Sequence, residues 1–242
     1  MRKLNILNKI YIVILVAIII ATVIKTHHYD AGDRYYYTAS FTAPPTYRMY
    51  VQQSQFITEG DGQNHVFIKS DNVNSGSSTW GNGDSEDTEE QERLPKALVL
   101  RYASYREKAF YADTIPLPTK VIDEIFAGGI EKNINVGIYT SGGPELSGLI
   151  FLIGIANNGN IVIWLQGRKY ERKILTYHLK PIKPTQDQFY ESQFYPVKTY
   201  FDYFNIDTAG YKKMVKNGID AHANYADSAT HYIENYSDPV KF

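Results

Sequence analysis

The sequence predicts an α+β domain, mainly antiparallel β-sheet folded as a sandwich or as one curved sheet, behind a single N-terminal transmembrane helix. Three observations carry that prediction. Ile10–Ile24 is an unbroken apolar run, with Arg2, Lys3 and Lys9 before it and Lys25 after it. Through most of the remaining chain, short runs rich in β-branched and aromatic residues alternate with Gly, Pro and Asn, which is the pattern of strands and turns. Tyrosine is the compositional outlier, 21 residues against 11 Phe and 2 Trp. Its ring suits a half-buried pleated surface and its hydroxyl stays wet or paired.

The leader comprises residues 1–27. Fifteen apolar residues reach roughly 22 Å as a helix, short of a hydrocarbon core of ~30 Å. Leu4, Ile6 and Leu7 extend the stretch to Leu4–Ile24, with Lys9 snorkelling outward. A secretory signal peptide shares this pattern but ends in small residues. Here the end is Ala21-Thr22-Val23-Ile24-Lys25, so the expectation is an uncleaved inner-membrane anchor. Secretion after cleavage and a buried core helix are the alternatives. The N-terminal cations place that end in the cytoplasm and the domain, residues 34–242, in the periplasm.

Composition excludes several classes. Charged residues are 21% and the formal net charge is −1, which is no footprint for nucleic acid. The chain has no cysteine, so it has no disulfide, no thiolate chemistry and no thioether-linked lipid. A domain of this length must stand on its core.

Strands are expected at Arg34–Phe41 and Tyr47–Ile57, on either side of Ala43-Pro44-Pro45, and at His65–Lys69. Ser70–Glu92 is rich in Gly, Ser, Asn and then acids, with only Val73 and Trp80 to bury, and reads as an exposed loop. Asp71–Gly76 resembles a calcium loop, but Val73 stands where an oxygen ligand belongs. Strands Lys96–Tyr102 and Lys108–Asp113 follow. Thr119–Ala127 is a short helix whose Val121, Ile122, Ile125 and Phe126 share a face. Thr119 is its candidate cap and Gly128-Gly129 its left-handed stop. Leu149–Ile155 and Ile161–Leu165, joined through Asn158-Gly159, form the strongest hairpin signal. Their near-continuous apolarity predicts central strands covered on both faces. Ile134–Tyr139 and Lys169–Leu179 are partner strands, Val197–Phe204 a further strand, and Ala209–Asn235 a C-terminal helix.

Chemistry-bearing motifs are sparse. His27, His28, His65, His178, His222 and His231 fall in no metal spacing. Thr140-Ser141-Gly142-Gly143 is not a nucleophile elbow, and no phosphate-binding glycine motif occurs. The expectation is therefore no catalytic residue, no metal and no cofactor. The most site-like group is aromatic and basic: Tyr102, Tyr105, Arg106, Glu107, Tyr111 and Trp164, with Tyr35, Tyr37 and Arg101 nearby. A Tyr/Arg face is what protein recognition uses; the alternative is that these rings simply cover the sheet.

Leu94-Pro95, KALVLRYASYREKAFYADTIPLP, the TKVIDEIF helix and GIANNGNIVIWLQG together resemble, in order, the bacterial proteins grouped as domain of unknown function 2931. Ala43-Pro44, Ser104, Glu107, Phe110, Tyr111, Gly154, Gly159, Trp164 and Gly167 carry the similarity, which spans roughly Tyr35 to Gly167. The resemblance implies an envelope protein, commonly a lipoprotein, and brings no catalytic residues. This chain lacks the lipid-bearing cysteine and has a hydrophobic helix in its place. The expected function is a non-enzymatic module that binds a protein partner, in the manner of an immunity protein. A carbohydrate- or lipid-binding envelope module is the alternative, and an envelope hydrolase the third.

Overall fold

The computed structural model describes residues 5–28, 34–58, 65–68, 71–73, 80–83, 91–138, 146–204 and 208–235. The chain divides into two units, residues 1–34 and 35–242. The first is helix α1, Ile6–His28. Its segment Ile6–Val23 is long and apolar enough to cross a membrane, and its described side chains are all exposed.

The second unit is a β-sandwich with short helices. Its strands are β1 (Arg34–Tyr35), β2 (Tyr37–Thr42), β3 (Met49–Ile57), β4 (His65–Ile68), β5 (Asp71–Val73), β6 (Glu92–Arg93), β7 (Ala97–Ser104), β8 (Ala109–Pro116), β9 (Val136–Ile138), β10 (Leu146–Ile155), β11 (Asn160–Gly167), β12 (Tyr170–His178), β13 (Pro181–Ile182), β14 (Gln188–Tyr190) and β15 (Gln193–Tyr195). One sheet has the order β12-β11-β10-β2, with β9 also on β10; the other runs β13-β8-β7-β3-β4, with β5 also on β3. Within these two sheets pairing is antiparallel except for β2 on β10, which is parallel. The two N-terminal strands β2 and β3 therefore lie in different sheets.

Periodicity explains the register. Leu98, Leu100, Tyr102 and Ser104 alternate inward along β7. Opposite them, Met49 and Val51 face inward at odd positions, whereas Ser54 and Phe56 face inward at even ones. A β-bulge at Gln52 absorbs the change of phase; one extra residue is what returns a slipped strand to its face. The inner faces close on Phe41, Phe56, Leu98, Phe151, Ile153 and Ile163 among others.

Both outer faces are covered, which is why β10 and β11 are buried almost throughout. On the β10 sheet, Leu152, Val162 and Trp164 lie beneath Trp80, Tyr225 and Ala226. On the β7 sheet, Tyr50, Ala103 and Phe110 lie beneath Tyr190, Tyr200, Phe204 and Tyr211. The tyrosine excess serves these covers. Rings pack inward while hydroxyls bond backbone: Tyr200 OH to Phe189 O and Tyr211 OH to Thr46 O in the cover, as Tyr37 OH to Arg93 O does in the inner core.

The β10–β11 hairpin turns as expected, with Asn158 at φ 58° and Gly159 at φ 75°. Helix α2 spans Thr119–Ala127, but its cap position is Pro118 without a side-chain bond, and Gly128 is right-handed. Gly129 NH bonds Phe126 O, and the left-handed residue comes later, at Asn133 with φ 52°.

Three other expectations need correcting. Val197–Phe204 is no strand: Tyr200–Asp202 is a 3-10 turn that buries Tyr200 and Phe204 four residues apart. The C-terminal helix is interrupted. Helix α3 (Thr208–Lys216) ends where Gly218 (φ 69°) and Asp220 (φ 58°) redirect the chain, and α4 is only Tyr232–Asn235. A straight helix could not place Tyr211 on one outer face and Tyr225 on the other. The third concerns Ser70–Glu92. Asp71–Val73 pairs with β3, and Trp80–Gly81 is buried, Gly81 NH donating to Thr42 Oγ1 and Gln166 Nε2 donating to Gly81 O. Residues 70, 74–79 (with the calcium-like stretch beyond Val73) and 84–90 of that loop, and Thr140–Gly143, lie outside the described residues.

Candidate functional site

The six residues singled out by sequence do not share a face. Tyr102 and Tyr111 lie in the inner core, 0% and 4% exposed, with rings stacked at 4.9 Å. Trp164 lies on the outside of the β10 sheet, edge-on to Trp80 at 5.3 Å. Tyr105 sits in the cover of the β7 sheet against Phe204 and Tyr211, with Lys108 Nζ 3.7 Å above its ring. An exposed Tyr/Arg surface made of all six is therefore corrected: strand alternation and the covering segments put half of these side chains out of reach.

Arg106 and Glu107 do converge, on the turn between β7 and β8, where this turn meets the β10–β11 hairpin and the turn before β3. Glu107 accepts a bond from Tyr111 OH at 3.1 Å and another from Asn158 NH, tying the two hairpins together. Arg106 stacks over Tyr47 at 4.5 Å and donates to Thr46 O and Ile219 O. Burial first, then the charge of Glu107 and the hydrogen bond to it, push the Tyr111 hydroxyl well above its ordinary range. It therefore stays a neutral donor to Glu107 at physiological pH. Tyr102 is raised for the same first reason, with Tyr111 and Glu107 adding to it. Lys108 is lowered, by burial first.

Tyr102 OH and Ser104 Oγ point from one face of β7 into this core and have no hydrogen-bond partner among the described residues. An unmade buried bond costs about 1–3 kcal/mol. Tyr102→Phe should therefore leave stability unchanged or raise it by about 1 kcal/mol, whereas Tyr111→Phe should lower it by about 1 kcal/mol. Urea unfolding of the two variants checks this. A loss in Tyr102→Phe would mean that its hydroxyl is paired.

A second group carries no signal in the sequence that separates it from strand packing. In the cover of the β7 sheet, Phe194 is 70% exposed beside Phe189 at 5.4 Å, and Tyr203 is 48% exposed against Tyr195 at 4.1 Å. The base beneath is fixed. From the bulge in β3, Gln52 Nε2 donates to Phe189 O and Tyr200 OH, and Arg101 donates to Gln52 Oε1 and Gln188 Oε1. The only hint in the sequence is the density of aromatics after Pro184.

Among the described residues no three His, Asp or Glu side chains gather closely enough to hold a metal ion. The arrangement offers aromatic contact and hydrogen-bond donors.

No curated protein and no solved structure matches the chain. A family model does match, from residue 24 to residue 240. The match thus runs well past Gly167 and takes in the C-terminal segments that cover both outer faces. This chain belongs to the protein family of unknown function DUF2931.

Proposed function

We propose that this protein is a binding module of the bacterial envelope, held in the inner membrane by α1 with residues 34–242 in the periplasm, and that it recognises another protein without catalysing a reaction. The observation that supports this most directly is two exposed rings, Phe194 against Phe189 and Tyr203 against Tyr195, above a base locked by Gln52 and Arg101. Exposed large aromatics on a rigid base cost solvation when free and supply anchor residues when bound. Pre-organisation spares the partner the ordering entropy. An immunity-like role, sequestering a toxin that reaches the envelope, fits such a surface. The apolar length of Ile6–Val23 and the absence of a small-residue end at Ala21–Lys25 support retention over cleavage.

The test uses the full-length protein in detergent and its Phe194→Ala/Tyr203→Ala variant. A purified protein partner should bind the wild type and bind the variant at least tenfold more weakly, about 1.4 kcal/mol, while the unfolding midpoint stays put. Equal binding by both proteins would sink this surface as the site. Binding of a defined glycan with no protein partner would favour the carbohydrate module instead.

A further inference from the structure

Beyond Lys216 the chain crosses the sandwich end that carries Arg106, then runs over the outer face of the β10 sheet. Along this path the described sandwich holds it mainly by its backbone. Tyr47 OH donates to Asp220 O at 3.2 Å, Asn157 Nδ2 to Ala223 O at 3.0 Å, Lys173 Nζ to Ala226 O at 3.4 Å and Trp80 Nε1 to Ser228 O at 3.4 Å. Arg106 adds the bond to Ile219 O. Five side chains, drawn from five separate segments of the fold, thus each reach a different main-chain carbonyl.

The segment itself buries little. Its central anchor is Tyr225, edge-on to Tyr47 at 6.2 Å and tilted against Trp80 at 5.8 Å, with its hydroxyl on Asp220 Oδ2; at the far end buried Thr230 donates to Glu171 Oε1 and Tyr232 OH donates to Gly167 O. Around that anchor the residues are small: Ala223, Ala226 and Ser228. Ile219 and Ile233 are about half exposed. Two non-glycine residues, Asp220 and His231, take left-handed φ values of 58° at either end, a conformation that costs roughly 1 kcal/mol or more each. Charge is complementary as well, with Lys173 Nζ 4.0 Å from Asp227 Oδ1. Core elements are held by buried apolar side chains. A segment held by carbonyl contacts, a central aromatic anchor, a few polar side-chain bonds and acidic flanks is held as a bound peptide is. It should open far more easily than the strands beneath it.

We propose that the groove under residues 218–232 is a peptide-binding site occupied by the chain's own C-terminal segment, and that a turn-forming stretch of a partner protein, with an aromatic anchor among small and acidic residues, binds there by displacing it. This groove is separate from the Phe194 surface and does not depend on it. The covalently attached segment competes at a high effective concentration, so weakening it from within should expose the site.

The experiment follows a fluorescein-labelled peptide of residues 217–235 by anisotropy, added to the full-length protein in detergent. Tyr225→Ala protein should bind the peptide at least tenfold more tightly than wild type. A peptide with alanine at that tyrosine should bind Tyr225→Ala protein at least tenfold more weakly, a comparison that no folding defect can mimic. Hydrogen exchange should show residues 219–232 of the wild-type chain losing protection at saturating peptide while β10 and β11 keep theirs. Equal affinity for wild type and Tyr225→Ala, indifference to the peptide's tyrosine, or unchanged protection at 219–232 would each overturn the proposal.

Discussion

Phe151→Ala should lower the unfolding free energy by about 3–5 kcal/mol, the range for emptying a buried aromatic site. Phe151 is fully buried, and its ring meets Tyr37 at 5.3 Å, Phe56 at 5.1 Å and Phe126 at 5.8 Å. One side chain therefore joins both sheets and α2, and no single neighbour can collapse into the space without leaving another. Urea unfolding should show a lower midpoint with an unchanged slope. A change under about 1 kcal/mol, far below the range for such a site, would mean that the two sheets do not close on this ring. The chain's only tryptophans, Trp80 and Trp164, lie on the far side of the β10 sheet. Their emission should match wild type until the variant unfolds.

Gly154→Val is the complementary experiment on the outer face. A Cβ at this position would lie 2.5 Å from Cζ3 and 2.8 Å from Cη2 of Trp164, and 2.8 Å from Cη2 of Trp80. Indole rings do not bend, so the pair must part or β10 must shift. The cost should be about 3 kcal/mol, the upper end for overpacking. Because both tryptophans belong to this one cluster, native-state emission should shift to the red as water reaches them. The shift separates this variant from Phe151→Ala, which loses stability without it. Unchanged emission would show that the indoles do not cover Gly154. Trp80 also touches Tyr225, so the substitution should raise hydrogen exchange in the C-terminal segment first.

These two positions differ in how much of their role is legible in the sequence. Phe151 sits in a continuous apolar run, and burial on both faces of that strand can be read from the run itself. Gly154 interrupts the same run. Its reason lies across the sheet in Trp164 and, more distantly, in Trp80, which the sequence places in a loop 74 residues earlier. The site shows the same division. Arg106 and Glu107 read as polar residues in a turn, and the turn does bring them together. Tyr102 and Tyr111 read as their partners on a surface. They are core because the opposite sheet closes over the inner face of β7. Phe194 and Tyr203 lie in an aromatic stretch that the sequence does not divide into buried and exposed rings; the structure leaves Phe194 exposed on β15 and Tyr203 exposed against Tyr195.

The local units are legible in the residues that form them. The apolar length of α1, the periodicity of α2 and the positive φ that Asn158-Gly159 tolerates are properties of a few consecutive residues. Composition then restricted the domain to a disulfide-free, tyrosine-rich β fold. Long-range packing sets that β2 runs parallel to β10 while β3 joins the other sheet, that the C-terminal helix breaks, and which aromatic rings meet water. Those outcomes depend on which distant segment covers each face. A tyrosine or phenylalanine ring gains by burial under any of them, so its identity alone cannot say which cover will come.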